Sequence, residues 1–209
     1  MIVHLIVMGM SGMGIALGLQ AAQVCHFPNF ITKGIKTKIT FIDEDAEVKM
    51  KTLKTRLPSF FDEVNYSFCD YKEKIEYDNK KIKEKFTGID LEFIKARFED
   101  DETRHYLERA SGNNLCYLTI AVALRDPCAS LSAALYLPAA VFDSQAGVLV
   151  RQEESHAIVS LLTEIIVQSR AYISHQVRVQ TGLNPLDIPR IAHSAVAAGG
   201  NRESVARFE

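Results

Sequence analysis

One stretch of this 209-residue sequence has residue types and spacing that point to chemistry: Gly9-Met10-Ser11-Gly12-Met13-Gly14. It follows a short apolar run, His4 to Met8, and opens into a segment of small and apolar residues. A glycine-rich turn between a strand and a helix is what a nucleotide pyrophosphate needs. Gly9 permits the tight turn off the strand, and a small residue at position 11 lets backbone approach the phosphates. Gly14 lets the helix pack closely on the sheet. The free N–H groups and the dipole of the helix start then favour an anion. Ser11 stands where this pattern has its second glycine, with Gly12 beside it, and its hydroxyl is a candidate partner for a phosphate oxygen. Met10 and Met13 complete the candidate binding turn.

The same pattern requires an acid at the end of the next strand, and Asp43 in KITFID supplies it. Such an acid accepts hydrogen bonds from a ribose 2′-hydroxyl and repels a 2′-phosphate. NAD or NADH, or another adenosine nucleotide, is therefore the expected ligand ahead of NADP. Asp43 follows Gly14 by 29 positions, longer than the usual separation of roughly 20. The surplus matches a loop from about His26 to Lys36. Lys49 or Lys51, on the helix that follows, would offset the repulsion of a 2′-phosphate if the helix turned them inward, but they are expected on its solvated face.

Other chemistry-bearing residues read more plainly. Arg125 follows the run Leu115 to Leu124, at the carboxyl edge where open α/β sheets bind ligands, so it is a candidate contact or a simple strand end. Cys25 and His26 are adjacent at a helix end and point apart, which argues against a nucleophile and its base. The remaining histidines show neither H-x-x-x-H nor H-E-x-x-H spacing, so no metal site is expected. The acids Glu99 to Glu102 precede a helix, where they favour its positive end as a solvated cap. No catalytic residue is assigned.

The elements that must position these residues alternate. Strands are expected at His4–Met8, Lys38–Asp43, Tyr66–Asp70, Ile89 onward, Leu115–Leu124 and Gly147–Arg151. Helices are expected at Gly14–Cys25, Glu47–Leu57 with Val48, Leu53 and Leu57 inward, Asp101–Ser111, from about Pro127, and Ser155 to about Ser174. Residues 72–87 are rich in lysine and acid and read as a solvated excursion, while 175–209 show weak periodicity and are left open. Strands alternating with helices predict an α/β protein with a doubly wound, mostly parallel sheet and helices on both faces. Residues 1–154 are expected to form the dinucleotide-binding domain and 155–209 a C-terminal helical extension.

Composition narrows the function classes. Apolar residues make up 47% and charged residues 24%, the balance of a globular chain able to build its own core. A net charge of −2 argues against a broad nucleic-acid surface. The four cysteines form no C-x-x-C pair, which fits a reduced, cytoplasmic protein. The apolar N-terminal run is too short for a membrane span, so no direct membrane insertion is expected.

With these residues in view, IVHLIVMGMSGMGIALGLQAAQ and ITFIDEDAEVKMKTLKTRLPSFF resemble the TrkA-N/RCK group of NAD(P)-binding Rossmann domains. The likeness is to a bacterial branch in which the domain precedes a ryanodine-receptor-like (RyR) module. It extends through GIDLEFIKARFE, CYLTIAVAL and ALYLPAAVF, about residues 2–151, and no RyR module is visible after it. The resemblance implies a Rossmann-like fold used as a ligand-sensing gate on potassium transport or on an attached effector. It implies that Gly9, Ser11 and Gly14 hold the phosphates, Asp43 the ribose, and Asp70 a place near the adenine. The group often has a glycine before that aspartate, where this chain has Cys69.

Two function classes follow. The leading one is a nucleotide-binding regulatory module, expected to be a homo-oligomer with an effector or transporter partner. Little more than 50 residues follow the last expected strand, fewer than a substrate lobe of ordinary size. The alternative is a small NAD(P)-dependent oxidoreductase whose site a dimer partner completes. Against it, no lysine follows Lys95 to complete a Tyr-x-x-x-Lys relay.

Overall fold

The structure, a computed structural model, describes residues 1–24, 28–73, 75–78, 88–152 and 177–181. Its centre is β1 (Ile2–Met8), a β-branched apolar run whose last three residues are buried on both faces. Gly9 stops the strand, and α1 (Gly12–Val24) starts three residues later. A short helix, α2 (Pro28–Lys33), occupies part of the expected loop before β2 (Thr37–Asp43). Then come α3 (Ala46–Arg56), α4 (Pro58–Glu63), β3 (Asn65–Asp70), β4 (Ile75–Asp78) and β5 (Ile89–Lys95). Pro58 ends α3 and opens α4, as a residue with no N–H and a fixed φ should at a first turn. The second half comprises α5 (Asp101–Ser111), β6 (Cys116–Val122), α6 (Pro127–Leu135), α7 (Ala139–Asp143), β7 (Gly147–Gln152) and β8 (Val177–Thr181).

The strands form one sheet in the order β4-β3-β5-β2-β1-β6-β7-β8, parallel except for β4 against β3. The chain leaves β1 in one direction, to β2, and returns later to β1's other side as β6. This reversal is a topological switch point, and open α/β sheets bind their ligands at the carboxyl ends of the strands that flank such a point. Helices cover both faces. Tyr106 and Leu107 of α5, Ala133 and Ala134 of α6 and Val141 of α7 pack with Ile6, Met8, Ile120 and Val148. On the other face Ala22 of α1, Met50 and Leu53 of α3 and Phe61 of α4 pack with Val7, Phe41 and Phe93. The fold is a Rossmann-like α/β sheet.

Two expectations change. Val48 is 66% exposed and Leu57 36%, while Ala46, Met50 and Leu53 make the buried stripe of α3. Those three recur at i, i+4 and i+7, one helical face, whereas Val48 sits about 200° away from Ala46. The excursion 72–87 contains β4, which pairs antiparallel with β3 and places Ile75–Asp78 in the sheet. In the sheet β5 stands between β2 and β3. The expected helix Ser155–Ser174 and the pair Cys25-His26 lie outside the described residues. No helix among the described residues is long and apolar enough to cross a membrane.

Candidate functional site

The glycine turn sits at the switch point. Gly9 has φ +96°, a conformation that side chains rarely adopt, and a Cβ there would meet Ala123 O at 2.9 Å and Leu124 Cα at 2.9 Å. The turn is thus wedged against the end of β6. A Cβ on Gly14 would overlap the Gly9 carbonyl oxygen and reach Val7 Cγ1 at 3.2 Å. Here the helix approaches the strand as closely as the third glycine of a dinucleotide turn allows. A Cβ on Gly12 would meet nothing within 4 Å, so the first residue of α1 faces open space.

Ser11 serves the turn itself. Its hydroxyl donates to the Ala123 carbonyl at 2.6 Å and accepts the Gly14 N–H at 3.2 Å. Its own carbonyl takes the first helical N–H, that of Ile15, at 2.9 Å. Ser11 is therefore the N-cap of α1, and its hydroxyl proton is spent on β6 rather than held for a phosphate. The N–H groups of Gly12 and Met13 have no intrahelical partner by helix geometry, and these two are the donors the turn offers an anion. Met10 contributes neither: its side chain is 2% exposed in the core and its N–H is bonded to Asp43.

Asp43 closes the site from β2. Its Oδ2 accepts the Met10 N–H at 2.6 Å, and its Oδ1 accepts the Asp45 N–H at 2.8 Å and the Lys49 ammonium at 2.6 Å. The acid and the glycine turn are brought together across 33 residues of sequence. Lys49, expected on the solvated face of α3, is turned onto Asp43, while Lys51 pairs with Glu47 at 2.6 Å on the exposed side. Of the two lysines named beside the acid, Lys49 is the one turned inward, against the expectation of a solvated face. Its one signal is a lysine in the first turn of the helix after the acid.

Asp70 ends β3, and β5 separates it from Asp43. Both carboxylates share one register partner, Lys95. Two strand spacings put their Cα atoms about 10 Å apart. Asp70 is 2% exposed and accepts the Lys95 ammonium at 2.8 Å and the N–H groups of Lys72 and Glu73. The Lys95 bond, with help from these amides against burial, holds its carboxyl below the usual carboxylate value. The residues beside the end of β2 are instead Lys95, Ala96 and Arg97, with Ala96 N–H bonded to Asp43 O at 3.2 Å. The Arg97 guanidinium pairs with Glu44 at 3.0 Å.

Arg125 lies on the β6–α6 connection, exposed, next to the Ala123–Leu124 backbone that Gly9 abuts. Arg151 steadies this connection by donating to the carbonyls of Leu124 and Arg125 at 2.9 and 3.0 Å. Asp126 caps α6 through the Cys128 N–H at 3.0 Å. The acids before α5 also act locally: Asp100 accepts the Arg97 N–H and pairs with Lys72 at 3.0 Å. Among the described residues no group of three or more His, Cys, Asp and Glu side chains could hold a metal ion.

A different polar cluster lies under α5, on the other face of the sheet. Glu92 accepts the Lys38 ammonium at 2.8 Å, the Thr40 hydroxyl at 2.9 Å and the Tyr106 hydroxyl. With both hydroxyl protons on Glu92, the His4 ring must donate from Nε2 to Thr40 Oγ1, at 2.8 Å. Burial, reinforced by Lys38 and opposed by Glu92, pushes His4 down to about 4. Burial and then the Glu92 charge push Tyr106 well above its ordinary value. Nothing in the nucleotide pattern announces this cluster.

No protein-family model matches this chain, and no curated protein is significantly similar to it.

Proposed function

We propose that this chain is a nucleotide-binding regulatory module that binds an adenosine dinucleotide at the turn between β1 and α1. The observation that carries the reading is convergence: a left-handed Gly9, the close-packed Gly14, and Asp43 bonded to the Met10 N–H all meet at the switch point. In this reading the pyrophosphate sits on the Gly12 and Met13 amides, with Arg125 beside it, and the adenosine ribose lies toward Asp43. The adenine lies over the end of β5, near Ala96 and Arg97, rather than at Asp70. NAD and NADH are the first ligands to test, with ATP and ADP as adenosine controls.

Binding is favoured over turnover because the charged groups around this edge are spent on one another. Lys49 is on Asp43, Lys95 on Asp70 and Arg97 on Glu44. A hydride-transfer site needs instead a positioned acid or base facing the substrate. By its TrkA-N resemblance the module passes ligand occupancy to an effector or a potassium transporter, as a self-associating, cytoplasmic domain. Thermal unfolding with 1 mM NAD, NADH, NADP, ATP or ADP in turn tests the reading. A ligand with a dissociation constant near 10 μM stabilises by about 2.7 kcal/mol under those conditions. For a domain of this size that is an upward shift of several degrees. No shift with any of the five contradicts the reading.

A further inference from the structure

A cation on the fingerprint acid changes what the site selects. This inference rests on the nucleotide reading above. In the general pattern the acid after the second strand is reserved for the ribose and excludes a 2′-phosphate by its charge. Here Asp43 holds the Met10 N–H on one oxygen and the Asp45 N–H and Lys49 ammonium on the other. The carboxylate is ion-paired and braces the glycine turn against α3. Lys49 Nζ also lies 3.7 Å from Asp45 Oδ2, and its side chain is 34% exposed, so a ligand at Asp43 can reach it. On the β5 side Arg97 is 64% exposed in its pair with Glu44. A ribose laid against Asp43 therefore meets the Lys49 ammonium, with the Arg97–Glu44 ion pair beside the end of β2.

We infer that Lys49 is a specificity-determining residue of this site, and that the site takes adenosine dinucleotides carrying a 2′-phosphate as readily as those with a free 2′-hydroxyl. Lys49, with three N–H donors, stays on Asp43 and gives another to a phosphate oxygen, adding a charge-assisted hydrogen bond without freeing the Asp43 charge. With a free 2′-hydroxyl bound, it stays on Asp43.

Calorimetric titration of NAD and NADP into the full chain tests this, using the unmodified protein and the variants Lys49→Gln, Lys49→Arg and Lys51→Gln. The unmodified protein is expected to bind NADP within threefold of NAD. Lys49→Gln should shift that ratio more than tenfold toward NAD, since it frees the Asp43 charge and removes the phosphate partner. Lys49→Arg keeps the cation and should keep the ratio, and Lys51→Gln, on the outer face, should change nothing. A preference for NAD greater than threefold in the unmodified protein overturns the inference, as does a Lys49→Gln ratio within tenfold of it. If neither dinucleotide binds the unmodified protein, the nucleotide reading itself fails.

Discussion

The sharpest energetic consequence lies away from the nucleotide turn, at His4. The imidazole is 6% exposed, donates to Thr40, and meets the Tyr106 ring edge-on at a centroid distance of 6.4 Å. Lys38 and Glu92 are the charges that face it. Burial pushes its pKa to about 4 from an ordinary value of 6.5. Between those values the unfolded chain binds the proton and the folded chain does not. Stability must therefore fall as pH drops through this window, at up to about 1.4 kcal/mol per pH unit. The full depression of two to three units corresponds to about 3 kcal/mol, a large part of a typical domain's stability. Glu92 is also lowered, but its contribution is lost only as pH falls through the carboxylate range below, so the span from pH 6.5 to 4.5 reports on His4. The assay is urea unfolding at half-unit pH steps from 7 to 4.5, on the protein and on His4→Gln, whose amide can still donate to Thr40. The variant should lose the slope of about one proton in this range. Equal slopes in both proteins, or the His4 imidazole resonance (the one lost in His4→Gln) titrating near 6.5, would refute the buried neutral histidine.

Three further outcomes follow from the packing. Gly12→Val should leave unfolding within about 0.5 kcal/mol of the parent, because its Cβ meets open space, yet weaken dinucleotide binding at least tenfold. Calorimetry and urea unfolding together check both halves. Gly18→Ala should destabilise by about 1–3 kcal/mol, since its Cβ would overlap the buried Phe41 ring, itself stacked on Phe93 at 5.3 Å; urea midpoints read this directly. Exchange of NAD for NADH should alter small-angle scattering or association state without turnover of a carbonyl and alcohol panel, because a ligand shifts an equilibrium only through differential affinity.

The longer strands and helices were legible because they carry their own punctuation, whereas the short α2, α4, α7 and β4 were not read. Gly9 stops β1, Pro58 separates α3 from α4, and Pro127 opens α6. The glycine turn was legible for a stronger reason: Gly9, Gly14 and Asp43 are each demanded by local geometry. Sheet order was not. β3 and β5 are both alternating strands of similar length, and nothing in either run tells which one pairs with β2. That choice puts Lys95, Ala96 and Arg97 beside the end of β2 and sets Asp70 one strand further away. The buried stripe of α3 was misread because Ala46 and Met50 are weaker hydrophobic signals than Val48 and Leu57, although only the former share a face with Leu53. The roles of Ser11 and Lys49 were hidden for a related reason. A hydroxyl that caps its own helix and a lysine that pairs with the fingerprint acid are tertiary choices among groups that sequence alone leaves free. The S-x-x-G spacing at the start of α1 was the available clue to the first.

The central claim is that a dinucleotide binds on the amides that open α1. Titration of the nitrogen-15-labelled chain with NADH, followed by amide resonances, addresses it residue by residue. Saturable shifts are expected at Gly12 and Met13, with smaller ones at Asp43 and Arg125, and little change at Asp70 or in the His4 cluster. Shifts confined to other segments, or none up to millimolar NADH, would contradict it.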